Sequence, residues 1–476
     1  MPAVSALAAA RPQRPAWSLA LLALAGLITA LDFTIVYVAL PDIADDVGFT
    51  PHSLQWVVSS YAVAYGGLLL LGGRLADLLG RRRMFVAGMA LYGFGSLLGG
   101  LASAPGPLIA ARAVQGAGGA VLFPATLSLV GTMFAEGPQR TRAMTVWAVS
   151  GAAGLSLGAL SGGVLTGAFG WSAVFFVNVP LVVIGGAAAF RLLPTDGARR
   201  GERGSGGGFD VPGALTGTAG LTLLVCTLAQ GPVWGWASAR VVGAALVGTL
   251  LLGVFAAVET RAAHPLLPLR LFRNRNVTAS AAVILVFGAT AQSVPYFLTM
   301  FFQAEMGFSA LRTGIAFLGP TLALTCGNVL GERLLPWLGL RGTLASGLAV
   351  TAVGSALFAW AMTDSATYPK LLAGIVAYGL GGGVSFSTMW MAAGTGVVAH
   401  EQGVASGLAS TALQFGASAG LALLVPLDGV RTAMAVVAVG TMAGVVAAFA
   451  LPGRSKPQVG AAENVPEPLS VRRRRA

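Results

Sequence analysis

Two ionisable residues, Asp32 and Arg112, lie inside otherwise apolar stretches of this 476-residue sequence. A charge held away from water is costly, so each is a functional candidate by its position alone. Asp32 falls about nine residues before the end of one stretch and Arg112 about five after the start of another. At ~1.5 Å per helical residue, both sit roughly 8–13 Å below the same face of a bilayer. A carboxylate and a guanidinium at one depth can neutralise each other, or the carboxylate can bind and lose a proton as its surroundings change. A static ion pair and an acid that stays hydrated near the interface are the alternatives these residues leave open.

Two further motifs concern movement rather than proton chemistry. The segment Gly151–Gly163 reads GAAGLSLGALSGG. Gly154, Gly158 and Gly162 repeat every fourth residue and, with Gly163, let another helix backbone approach closely, either as tight packing or as a moving contact. The segment Arg74–Arg83 reads RLADLLGRRR. Its arginines serve as a topological anchor, but Asp77 among Arg81, Arg82 and Arg83 can also make a breakable charge-assisted bond that holds one closed state.

The elements that carry these residues are read from composition and periodicity. Hydrophobic residues make up 55% of the chain and charged residues 10%, a ratio that cannot clothe a water-exposed surface. A bilayer crossing needs ~20 mostly apolar residues. Fourteen such spans are expected, at roughly 17–40, 54–73, 84–104, 107–133, 143–168, 172–193, 210–229, 240–258, 277–302, 310–331, 342–362, 370–394, 403–427 and 430–451. Short Gly- and Pro-bearing connections suit adjacent antiparallel helices, and nothing reads as the alternation of a β-barrel strand. The first span is too long for a signal peptide and shows no clear cleavage site.

Charge sets the orientation. With the N-terminus inside, 24 of the 29 Lys and Arg residues fall on the cytoplasmic side, four (Arg240, Arg312, Lys370, Arg431) outside, and Arg112 within a span. Both termini are therefore expected in the cytoplasm. The net charge of +12 is mainly an insertion signal, and the Arg472–Arg475 run is a headgroup-facing tail rather than a nucleic-acid site. Cys226 and Cys326 lie in apolar runs and the three histidines are scattered, so neither a disulfide framework nor a metal site is expected.

An internal repeat completes the layout. RLADLLGRRR at Arg74–Arg83 matches RLLPWLGLRG at Arg333–Gly342 with an offset of 259, and the same offset carries the starts of spans 1, 4, 5 and 6 to within four residues of spans 9, 12, 13 and 14. The expected fold is an all-α membrane protein of two six-helix parallel-repeat bundles plus two inserted helices. Its parts are an N-terminal tail (1–16), a first bundle (17–193), a linker with the inserted pair (194–276), a second bundle (277–451) and a basic tail (452–476).

LDFTIVYVALP (Leu31–Pro41), GRLADLLGRRR (Gly73–Arg83), RAVQGAGGA (Arg112–Ala120) and the Gly154–Gly163 stripe occur in the order of the signature motifs of the major facilitator superfamily. The span count, NVP at Asn178–Pro180 and HPLLPLRLFRNRN at His264–Asn276 resemble its fourteen-helix drug:proton antiporter branch. The resemblance covers residues ~17–451. It implies that Asp32 and Arg112 couple transport to protons, that Asp77 and Arg81–Arg83 control the cytoplasmic gate, and that Gly154, Gly158, Gly162 and Gly163 form the antiporter motif. Two departures stand out. The proline-bearing helix-5 form that is diagnostic of exporters is Gly158-Ala159 here, and the helix-1 asparagine is Tyr37, which alters the cavity lining.

Tyr37, Gln115, Gln292, Tyr296, Trp390 and Gln414 are the candidate lining of a largely apolar substrate cavity, which suits amphipathic drug-sized molecules. The resulting expectation is an exporter driven by the proton gradient, with a small-molecule substrate, protons and membrane lipid as partners. It has no catalytic residues, metal, cofactor or nucleic acid, and works as a monomer in the cell membrane. A dedicated exporter of one metabolite would use the same machinery. An intramembrane enzyme would need acid, His or metal-ligand clusters at the bilayer surface, which the sequence lacks, and no phosphate-binding G-x-x-x-x-G-K-[ST] loop occurs.

Overall fold

The structure is a computed structural model that describes residues 15–134, 138–196, 211–262, 265, 267, 269–363, 366–395, 397 and 402–451. The basic tail and most of the two segments expected as N-terminal tail and linker lie outside the described residues. Every long element is helical and no strand occurs among the described residues. This follows from the solvent: within hydrocarbon every backbone N–H and C=O must be paired inside its own segment, and a helix does that.

The first six long helices are α1 (Pro15–Val47), α2 (Trp56–Leu79), α3 (Arg81–Gly100), α4 (Pro105–Met133), α5 (Pro138–Phe169) and α6 (Asn178–Leu192). The pair α7 (Val211–Trp234) and α8 (Ala239–Arg261) pack against each other. The remainder are α9 (Arg275–Glu305), α10 (Ala310–Ala361), α11 (Tyr368–Gly394), α12 (Gln402–Leu424) and α13 (Val430–Ala448). Among the described residues, eleven helices are long and apolar enough to cross a membrane; α2 and α3, whose shared turn carries Arg81–Arg83, fall outside that set but pack on α4. α10 counts once among the eleven, although Gly339, at φ 69° and ψ 172°, divides it into two helices. Its arms correspond to the spans expected at 310–331 and 342–362.

Two elements differ from their sequence reading for local reasons. α1 runs on to Val47, past the expected end near residue 40, so Asp42, Asp45 and Asp46 form a helical extension beyond Pro41. α9 is interrupted: an α-helix to Ala289, a 3₁₀ turn at Ala291–Ser293, a helical turn at Val294–Met300 and a π-turn at Phe301–Glu305. Pro295 has no N–H, which leaves the Ala291 carbonyl without its partner four residues on. That carbonyl instead accepts from the Val294 N–H within the 3₁₀ turn and from the Tyr378 hydroxyl at 2.7 Å, which ties α11 to the break.

Packing between helices rests on small residues, because lipid tails are as apolar as the side chains and supply no drive of their own. A Cβ at Gly95 of α3 would lie 2.7 Å from the Gln115 nitrogen of α4, and one at Gly88 would lie 2.8 Å from the Leu122 nitrogen. The pairs α1 with α5, α2 with α4, and α3 with α6 have counterparts in α9 with α12, α10 with α11, and α10 with α13. One apolar core, holding Leu22, Ile28, Phe85, Met89 and Val130, belongs to the first six helices; a second joins Ile35, Leu40 and Val57 to Phe287, Phe301 and Met434. The inserted helix α7 packs against both α2 and α12.

Candidate functional site

Asp32 on α1 and Arg112 on α4, separated by 80 positions, form a buried ion pair, with Arg112 Nη1 donating to Asp32 Oδ2 at 2.7 Å. Asp32 is 0% exposed and Arg112 2%, so neither charge is shared with solvent. A buried pair is stable only when the remaining lone pairs and protons also find partners. Here they do. Gln115, one turn beyond Arg112, donates from Nε2 to Asp32 Oδ1 at 2.8 Å and to Ser96 Oγ at 2.9 Å, while its Oε1 accepts from Arg112 Nη1 at 2.7 Å. Asn178, the first residue of α6, donates from Nδ2 to Asp32 Oδ1 at 3.1 Å. Arg112 Nε donates to the Val57 carbonyl at 2.9 Å, and the guanidinium lies over the Tyr61 ring at 4.4 Å.

This arrangement draws on α1, α2, α3, α4 and α6, and each contributes for a readable reason. Gly95 and Gly118 bring α3 and α4 close enough for Ser96 to reach Gln115. The turn of helix Ala173–Phe176 ahead of α6 directs Asn178 inward and places Phe175 with its ring 6.0 Å from the Arg112 guanidinium. The carboxylate thus faces only donors. Arginine keeps its proton throughout, so the carboxyl of this cluster is Asp32 alone.

The glycine stripe touches the same helix. A Cβ at Gly154 would lie 2.6 Å from the Leu27 carbonyl oxygen of α1, and one at Gly162 2.7 Å from that of Ile35. At Gly158 it would collide with the Leu31 carbonyl and the Thr34 hydroxyl, directly beside Asp32. Thr34 Oγ1 also donates to the Leu155 carbonyl at 2.8 Å, tying α1 to α5. Gly163 instead faces α10, where a Cβ would lie 2.6 Å from the Ala310 carbonyl oxygen.

At the Arg81–Arg83 turn, the backbone N–H groups of Arg82 and Arg83 donate to the Asp196 carboxylate at 3.1 and 3.0 Å. Asp196 therefore caps the N-terminus of α3 from beyond the end of α6, where a carboxylate also meets the positive end of the helix dipole. Arg82 Nη2 donates to the Phe190 carbonyl at 2.7 Å in the last turn of α6, and its guanidinium lies over the Phe190 ring. Gly80 makes the tight turn at φ 108°, and a Cβ there would lie 2.8 Å from Asp196 Cβ. The Asp77 backbone belongs to α2, and its side chain lies outside the described residues.

The residues expected to line a cavity are dispersed. Gln115 sits in the ion-pair cluster. Tyr37 is buried on α1 with its ring edge-on to Phe33 at 6.2 Å. Tyr296 is buried and Gln292 half-buried at the break in α9. Trp390 is half-buried on α11 against Phe386, and Gln414 on α12 lies over Gly66, whose Cβ would be 2.8 Å from that of Gln414. Asn178, Ser96, Tyr61 and Asp196 were missed as site residues. A buried asparagine needs a partner, so the Asn178 of NVP carried a signal that the sequence alone could not match to Asp32.

The Major Facilitator Superfamily family model matches residues 22–421. The cephamycin export protein CmcT of Amycolatopsis lactamdurans is 41% identical over 420 residues, covering 87% of this chain and 85% of its own length. The puromycin resistance protein pur8 of Streptomyces alboniger is 37% identical, covering 86% of this chain and 80% of its own. Among solved structures, the nucleoside transporter NupG aligns with a TM-score of 0.65 at 14% identity, covering 92% of this chain and 100% of that one, which is a likeness of fold. The chain belongs to the major facilitator superfamily and is a multi-pass membrane transporter of small molecules rather than an enzyme.

Proposed function

We propose that this chain is a proton-coupled antiporter that exports antibiotic-like molecules by alternating access. It crosses the cell membrane fourteen times with both termini in the cytoplasm, and the proton gradient is its energy source with no cofactor. The observation that carries the reading is the Asp32–Arg112 pair at 2.7 Å, sealed from solvent and surrounded by donors. Protonation of Asp32 removes the charge that holds Arg112, so a proton arriving from outside changes how α1 and α4 attract each other. The glycines at 154, 158 and 162 leave α5 in backbone contact with α1, so movement at Asp32 is passed to a helix that also touches α10 through Gly163.

The repeated pairings of helices support two bundles of six around the inserted α7 and α8. Links between the bundles support a state closed to the outside. Gln303 of α9 donates to the Val38 carbonyl of α1 at 2.8 Å, and Ser418 of α12 to the Ser59 carbonyl near the outer start of α2 at 3.3 Å.

Relatives named for cephamycin, puromycin and lincomycin favour the export of antibiotic-like compounds. Their single-compound names equally favour a narrow range. Inverted membrane vesicles with an imposed pH gradient test both readings, with cephamycin, puromycin, lincomycin and a set of unrelated amphipathic dyes as probes. Gradient-dependent accumulation of one compound supports a dedicated exporter and of several a multidrug exporter. Accumulation that ignores the gradient rejects proton coupling.

A further inference from the structure

Asp32 must exist in two forms if it carries the transported proton, and each form needs different partners. The carboxylate accepts hydrogen bonds only; the acid has one O–H that must donate. Around the carboxylate, Arg112 offers donors alone. Gln115 is locked in one orientation, because its Oε1 accepts from Arg112 Nη1 at 2.7 Å and its Nε2 donates to Ser96 Oγ at 2.9 Å as well as to Asp32. Turning that amide would set its nitrogen against the guanidinium. Asn178 is different. Its Nδ2 donates to Asp32 Oδ1 at 3.1 Å and reaches the Val174 carbonyl only at 3.5 Å, while its fully buried Oδ1 has no hydrogen-bond partner.

We propose that Asn178 is the positioning residue that lets Asp32 hold its proton inside the sealed protein, by turning its amide half a rotation when Asp32 is protonated. In the ionised state Nδ2 donates to the carboxylate. When a proton from outside water binds Asp32 Oδ1, the amide turns and Oδ1 of Asn178 accepts from the new O–H. Gln115 still donates to the same Asp32 oxygen, and Arg112 to Oδ2. Asp32 itself is then bonded in both forms: its oxygens meet donors when ionised, and its new O–H meets an acceptor when protonated, whereas an unmet buried O–H costs more than the bond itself contributes. Loss of the proton to the cytoplasmic side reverses the turn. This inference rests on the proton-carrying role proposed for Asp32.

The other charged or titratable groups facing Asp32 are Arg112 of α4, Tyr61 of α2 and Tyr92 of α3. The Tyr92 hydroxyl is also buried and close enough to Asp32 to interact with it, so it is the competing acceptor. Asn178 is assigned because its Nδ2 already donates to Asp32 Oδ1 at 3.1 Å while its Oδ1 has no partner.

The test is infrared difference spectroscopy of the purified full-length protein across a pH titration, with the Asp32 carboxylic-acid band identified by its loss in Asp32→Asn. In Asn178→Leu, which keeps the size and removes both functions, the carbonyl band should move to higher frequency as the O–H loses its acceptor. The pH midpoint of the band should be displaced by about one unit, a tenfold change in proton affinity. Asn178→Thr keeps a hydroxyl that can accept from the O–H and adds no second carboxyl, so its Asp32 band should stay near the wild-type frequency while its midpoint is displaced. This second variant decides the matter if the leucine protein does not fold. Wild-type band and midpoint in both variants, or their displacement in Tyr92→Phe instead, would overturn the assignment to Asn178. If no band disappears in Asp32→Asn, the proton-carrying role itself fails, an outcome separate from the other two.

Discussion

Arg112 is the residue whose removal exposes the largest energetic imbalance. It is the cationic partner of a carboxylate that is 0% exposed, and it also donates to Gln115 and to the Val57 carbonyl. Taking away one partner of a buried pair leaves the other uncompensated, typically at a cost of about 3–5 kcal/mol. Arg112→Ala should therefore lower the unfolding temperature and abolish gradient-driven accumulation together. Arg112→Lys should recover stability only in part, since an ammonium cannot reproduce the planar set of donors to Asp32, Gln115 and Val57. Full recovery of transport in the lysine variant would reduce Arg112 to a simple counter-charge. Asp32 and Arg112 were legible in the sequence because charge in an apolar run has few innocent explanations. Ser96, Tyr61 and Asn178 were not, because uncharged polar residues in spans are common and one sequence does not say which helix faces which. Gln115 illustrates the same limit: its depth was readable, but its direction, toward Asp32, was set by the close α3–α4 contact.

Helix α5 is held against α1 by backbone rather than by side chains, and that makes its glycines intolerant of bulk. Gly158→Leu should push α5 away from Leu31 and Thr34 and stop transport, with vesicle uptake as the measurement; wild-type rates would show that the α1–α5 distance is not critical. Ser161 provides the control, being partly exposed on the same helix, and Ser161→Leu should be tolerated. At the cytoplasmic end of α3, Asp196→Ala removes the cap from the Arg82 and Arg83 N–H groups. A loss of about 0.5–2 kcal/mol is expected, read as a modest fall in unfolding temperature, whereas Asp196→Asn should retain most of the cap. The helical period and the glycine spacing were visible in the sequence, and so was the repeat. The continuation of α1 past Pro41 and the break in α9 were not, because both depend on tertiary partners, such as the Tyr378 hydroxyl that donates to the Ala291 carbonyl.

Across the whole molecule, two bundles that rock about a buried site must separate on one side at a time, so fixing the outer contacts should trap one state. In a background with Cys226 and Cys326 replaced by serine, Val38→Cys with Gln303→Cys joins α1 to α9 at a place where Gln303 already bonds the Val38 carbonyl at 2.8 Å. A short bifunctional thiol reagent should stop transport, and a reducible version should release it on reduction. Unchanged transport after complete cross-linking would mean that these outer ends do not part. Orientation has its own check: a cysteine at Arg82 should be shielded from an impermeant reagent in intact cells and one at Ser238 labelled. The central claim is that Asp32 carries the proton exchanged for substrate. It is tested most directly by proton release from detergent-solubilised protein on addition of whichever compound the vesicle screen selects, wild type against Asp32→Asn. The wild type should release protons on binding and the Asn variant should bind without release and fail to transport uphill. Equal release from both, with uphill transport intact in the variant, would contradict the account.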